Sequence, residues 1–265
     1  MENILKTAAG TAANNNEVVN KLYDDAIHPV AQNIGQALDT LSSTINVLLA
    51  PMSWAIYGFK IIDQKVKSSL ERKLKDVPLD ELTEPSADIV IPSYEALRYS
   101  VDKDELKDMY VSLLAASMVK ATKDMAHPAF VEIIKQLSPF DAKLLKSLFY
   151  NQESSFLPKI KVRIQVSEHD FFGIDFYRCV LSNKYCPDGS LIEKYLFSID
   201  NFERLKIITV DDMATMKPDN IYNEIIERIN QNELLSLRDD LNYVNISKGS
   251  IHLTDFGRQF TSTVF

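Results

Sequence analysis

EPSADIVIPSYEALRYSVDKDELKDMYVSLLAASMVKATKDMAHPAFVEIIKQLSPFDAKLLKSL, residues Glu84–Leu148, is the stretch whose reading decides the fold. Glu84-Pro85 and Ile91-Pro92 predict an extended lead-in, because the residue before a proline is pushed out of the α region. After Pro92, Leu97, Leu106, Met109, Leu113 and Ala116 recur at helical spacing, with the charged residues of Asp102–Asp108 between turns. His127-Pro128 predicts a second helix start, with proline where its missing N–H costs nothing. Ser138-Pro139-Phe140-Asp141 predicts a third, with Ser138 as N-cap and Asp141 as a short-armed capping-box partner. Residues 84–150 are therefore expected to be a central helical core.

Upstream, residues 1–25 are poor in apolar side chains and expected to be a flexible N-terminus. Residues 26–83 form an apolar and then basic region. Thr40–Phe59 carries no charge and includes Leu49, Trp54 and Tyr57. Its length is near the roughly 20 residues of a membrane helix, but Thr40, Ser42, Ser43, Thr44, Asn46 and Ser53 dilute it and Pro51 interrupts it. Phe59, Ile62, Val66, Leu70 and Leu74 then form one helical stripe. Lys60, Lys65, Lys67, Arg72, Lys73 and Lys75 supply the other faces. Such an order suits a membrane-surface element; a buried helix of a bundle with a basic solvated face is the plainer reading. Val77-Pro78 is expected to end this helix, and residues 78–92 to form a linker.

Past Leu148 the period changes. Ile160, Val162, Ile164 and Val166 alternate with Lys159, Lys161, Arg163 and Gln165, which predicts a half-buried strand over 159–166. Residues 170–180 are apolar and read equally as helix or strand, and CPDGS (186–190) signals a turn. A helix over 191–205 leads into a short strand, 206–210. Asp219–Asp240 reads as helical, SIHLT (250–254) as a strand, and Thr254 as the cap of a last helix. The expected fold class is mainly α with a smaller α/β part: helices first, then a winged-helix-like domain over 151–265 with a helical insertion.

Composition narrows the function classes. A net charge of −8 and a pI near 5.1 disfavour a protein that holds nucleic acid through a broad basic surface. In the candidate recognition helix Lys194, Arg204 and Lys206 stand against Glu193, Asp200 and Glu203, so a protein-contact role is expected there. Seven glycines argue against Gly-rich phosphate loops. Cys179 and Cys186 are too far apart for a CxxC pair and read as buried thiols. His28, His127, His169 and His252 show no metal-binding spacing. Asp24-Asp25, Asp211-Asp212 and Asp239-Asp240 do not face one another as adjacent residues and read as solvated faces. No GxSxG, Walker-type loop or GxGxxG is present. The expectation is no catalytic residue, no cofactor and no metal. MENILKTAAGTAA has no charged n-region followed by an apolar run, so a reducing cytoplasm is the expected compartment.

EALRY (95–99), LLAASM (113–118), AHPAFVEIIKQLSPFDAKLLK (126–146) and TDFGRQF (254–260) resemble a bacterial family, abortive-infection alpha, first filed as a domain of unknown function. The resemblance spans about residues 40–265 and implies a role in phage defence. It draws attention to Arg98, His127 and Arg258 as interaction residues; a local Glu95–Arg98 pair and a helix-capping ring are the bland readings of the first two. Three functions are weighed. One is a defence protein acting through membrane contact by Leu49, Trp54, Tyr57, Lys65, Lys67, Lys73 and Lys75, peripheral to the inner membrane. Another is a cytosolic module binding a phage or host protein. The weakest is a winged-helix regulator on DNA.

Overall fold

The structure, a computed structural model, describes residues 55–150, 156–170, 172–182, 193–237 and 240–265. The flexible N-terminus (1–25), most of the uncharged run and the CPDGS turn lie outside the described residues. The chain divides into two compact units, the first ending at Gln136 and the second beginning at Leu137.

The first unit is helical. Helix α1 (Ala55–Leu74) buries Ile62, Val66, Leu70 and Leu74, the predicted stripe, and packs against α3 (Asp104–Ser117). Helix α2 (Ala87–Ser100) packs on α3 as well, and α4 (Ala129–Lys135) rests on both. The expected linker over 78–92 is not observed. Leu79–Glu81 is a 3-10 turn, Leu82 bridges Val119, and α2 is already helical at Ala87 with Pro92 inside it. An interior proline costs about 3 kcal/mol. Burial of Ile89, Val90, Tyr94 and Leu97 outweighs this, each worth roughly 1.5–3 kcal/mol. The carbonyl that Pro92 leaves without an amide belongs to exposed Asp88 in the first turn.

The second unit opens with α5 (Pro139–Phe149), whose start is the predicted capping box. The Asp141 amide donates to Ser138 Oγ at 3.0 Å and the Ser138 amide to Asp141 Oδ2 at 2.8 Å. Ser138→Ala should cost about 1 kcal/mol in urea unfolding. A loss under a few tenths would mean the box contributes nothing.

Strands β1 (Phe156–Gln165), β2 (Gly173–Val180), β3 (Ile208–Asp211) and β4 (Tyr243–Leu253) make one antiparallel sheet in the order β2-β1-β4-β3. Three strands are expected from the alternation; the fourth, β2, comes from the ambiguous stretch 170–180. Strand β4 starts seven residues before the predicted 250. Its polar Asn245, Ser247 and Lys248 hide the pattern, and its length is set by ten consecutive pairings with β1, from Phe156↔His252 to Gln165↔Tyr243. Helix α6 (Glu193–Arg204) runs into β3 through Lys206, which has φ 59. The amides of Lys206 and Ile207 donate to Glu203 and Phe202, the paired bonds of a Schellman ending.

The predicted helix over 219–240 is broken instead. A 3-10 turn (Asp219–Tyr222) is followed by α7 (Asn223–Glu227) and α8 (Gln231–Leu235), the latter capped by Asn230 accepting from the Glu233 amide at 3.2 Å. That local cap competes with a continuous helix. Tyr222, Ile225, Ile229, Leu234 and Leu241 pack on the sheet face that carries Ile160, Val162 and Ile164. Helix α9 (Asp255–Val264) ends the chain, capped by Thr254 as predicted.

Candidate functional site

The opposite side of β1 carries Lys159, Lys161 and Arg163, because side chains alternate across a strand. The sequence reading puts all three in solvent. Lys161 and Arg163 are half-buried, but Lys159 has 0% exposure. Its stem runs past Gly249, its register partner on β4, where a Cβ would lie 2.7 Å from Lys159 Cε. The ammonium ion-pairs with Asp212 and donates to the Arg178 carbonyl at 3.4 Å. A buried lysine without such a partner would be costly.

The network extends outward from there. Lys161 Nζ is 2.9 Å from Asp175 Oδ2 and 3.9 Å from Asp212 Oδ2. Arg163 lies 3.4 Å from Asp175 Oδ1 and donates to the Gly173 carbonyl at 3.2 Å. Arg178 pairs with Asp200 of α6 at 3.4 Å. Leu196, Ile199, Asp200 and Glu203 recur at i, i+3, i+4 and i+7, one face of α6. They line a cleft of about 90 Å3. Lys161, Arg178, Cys179, Val210 and Asp212 form its other wall. Beside it Asp211 accepts from the Met213 and Ala214 amides at 2.8 and 2.9 Å, which hold its carboxyl below the usual range.

So Asp211-Asp212 is not the solvated pair expected: one carboxylate fixes a turn and the other neutralises a buried lysine. The sequence signal was thin. Lys159 looks like any polar position of a half-buried strand, and its partner stands 53 residues away.

The residues singled out from the sequence fall elsewhere. Leu49 and Trp54 lie outside the described residues, and so does the Tyr57 side chain. Lys65 pairs with Asp102 at 3.0 Å and Lys75 with Asp76 at 3.8 Å; Lys67 is half-buried and Lys73 exposed. The Arg98 guanidinium is 5.8 Å from the centroid of the exposed Tyr99 ring. Arg258 pairs with Asp255 and donates to the Leu253 carbonyl at 3.0 Å, bracing the start of α9. His127 Nδ1 accepts from the Ala129 amide at 3.1 Å and its ring lies 5.9 Å from Phe130. That places the proton of the neutral ring on Nε2. His127 also borders a wide depression of about 440 Å3 together with Glu84, Asp88 and Asp124. Cys179 is buried; Cys186 lies outside the described residues.

Among the described residues no group of three or more His, Cys, Asp or Glu side chains is placed to hold a metal ion. No helix there is long and apolar enough to cross a membrane. The sequence model of a family described as Abortive infection alpha matches residues 59–264 of the 265. No curated protein and no solved structure matches the chain.

Proposed function

The chain belongs to the abortive infection alpha family, and from that premise we propose that it is a cytoplasmic phage-defence protein acting through binding, without catalysis of its own. The family match carries this reading. The resting state keeps α1 folded into the first unit, and infection releases it with the preceding segment to the membrane surface. Two features of α1 support that step. Its apolar stripe is fully used in packing on α3, so it cannot meet lipid while packed. Its other faces carry Lys65, Lys67, Arg72 and Lys73 close to the exposed Lys75, the charge an anionic surface attracts.

The alternative is a protein-contact module in the second unit. Strands β1, β4 and β3 lie side by side and α6 runs directly into β3, as in a winged helix to which β2 and residues 212–242 have been added. Phe197 on α6 is 79% exposed, next to a charge-balanced surface, which favours a protein partner over duplex DNA.

Phage challenge of cells carrying the intact gene, or one lacking residues 26–76, separates the two. Survival and membrane potential are recorded together. The membrane reading expects loss of both protection and depolarisation in the deletion. Neutralising Lys65, Lys67, Lys73 and Lys75 together should weaken binding to anionic vesicles by up to about 1 kcal/mol per residue. The pairs to Asp102 and Asp76 trim the share of Lys65 and Lys75. A neutralised variant that defends as well as the parent removes the membrane reading and leaves the protein-contact module.

A further inference from the structure

The cleft between α6 and the sheet has its charges set out in two rows. Cations come from the sheet: Lys161 on β1 and Arg178 on β2. Carboxylates come from α6, Asp200 and Glu203, one turn apart on the same face. Asp212 closes one side, but its charge is met from behind by the buried Lys159 ammonium. Asp200 is met by Arg178 at 3.4 Å. Glu203 is different. It is half-buried, lines the cleft, and its carboxylate has no hydrogen-bond or ion-pair partner among the described residues.

We propose that this cleft binds a small zwitterion of the α-amino-acid class, with its ammonium on Glu203 and Asp200 and its carboxylate on Lys161 and Arg178. Three carboxylates facing the same space repel a simple anion, and Lys161 with Arg178 repels a simple cation. A ligand carrying both charges a few bonds apart meets each row with its opposite. It leaves the net charge of the cleft unchanged. The guanidinium of Arg178 suits a carboxylate because its two N–H groups match the two oxygens. A volume of about 90 Å3 restricts the ligand to a small side chain, for which Leu196, Ile199 and Val210 supply an apolar wall. Specific sites are commonly such apolar hollows with a few convergent polar groups. This ligand site does not depend on the defence reading; either stands if the other fails.

The test is titration calorimetry on the full chain with glycine, alanine and serine, and with acetate and methylammonium as the two half-ligands. At least one amino acid should bind in the millimolar range or tighter, and each half-ligand at least about tenfold more weakly, since a charged hydrogen-bonding group is lost. Glu203→Gln and Lys161→Gln should each weaken amino-acid binding by about tenfold or more at unchanged far-UV circular dichroism. Arg178→Gln changes an exposed side chain and serves where either of those fails to fold. No binding by any of the three amino acids overturns the proposal. So does half-ligand binding as tight as theirs, or folded variants that bind as the parent does.

Discussion

Gly257→Ala should destabilise the second unit by about 3 kcal/mol, although alanine is the better helix former. Gly257 is the third residue of α9, and its amide donates to the capping Thr254 Oγ1 at 2.8 Å. On helix propensity alone the substitution would gain up to about 1 kcal/mol. Tertiary packing decides otherwise. A Cβ there would lie 2.7 Å from the Ile207 carbonyl carbon, and nearer still to its oxygen. That backbone has no room to yield. Ile207 is fully buried, its amide is bonded to Phe202, and its carbonyl accepts from the Thr254 amide at 3.0 Å. The Thr254 hydroxyl also donates to the Lys206 carbonyl at 2.6 Å. Thr254 and Gly257 of the family-like TDFGRQF run therefore form a splice between α9 and the α6–β3 corner, and their importance is structural. For a protein of this size the melting temperature should fall roughly 6–12 °C. A variant within about 0.5 kcal/mol of the parent would show that α9 shifts freely and that the splice is loose.

The second large effect is an asymmetry. Asp212→Ala removes the carboxylate partner of Lys159 and leaves an ammonium sealed inside the sheet, which should cost about 3 kcal/mol. The nearby Arg178 carbonyl softens but does not cancel this. Lys159→Met should cost less than about 1 kcal/mol, or stabilise, because methionine fills the channel beside Gly249 and the abandoned Asp212 is half exposed to water. Denaturant unfolding of the two single variants and the double variant resolves the coupling. Near-parental stability of Lys159→Met/Asp212→Ala would complete the picture. Equal losses from the two single changes would falsify it, since they would mean that the ion pair itself, rather than the buried charge, is what matters.

The physical reasons for what could and could not be read from the sequence are local against long-range. Punctuation within four residues was legible. The Ser138–Asp141 capping box, the Thr254 cap, the α1 stripe of Ile62, Val66, Leu70 and Leu74, and the alternation of β1 are all where the pattern puts them. So was the family, through runs that span both units. The misreadings share one cause: an energy supplied by residues far away in the chain. Pro92 sits inside α2 because burial of Ile89, Val90, Tyr94 and Leu97 outweighs its local penalty. β2 and the first half of β4 are strands because β1 offers them ten residues of hydrogen-bonding partners. Lys159 is buried, and the cleft under α6 exists, because Asp212 and Gly249 arrive from β-strand neighbours 53 and 90 positions along the chain. The sequence by itself determined the helices, the first strand and the family. Tertiary structure decided which polar side chains of that strand face an interior, because only the packed sheet brings their counter-charges within reach.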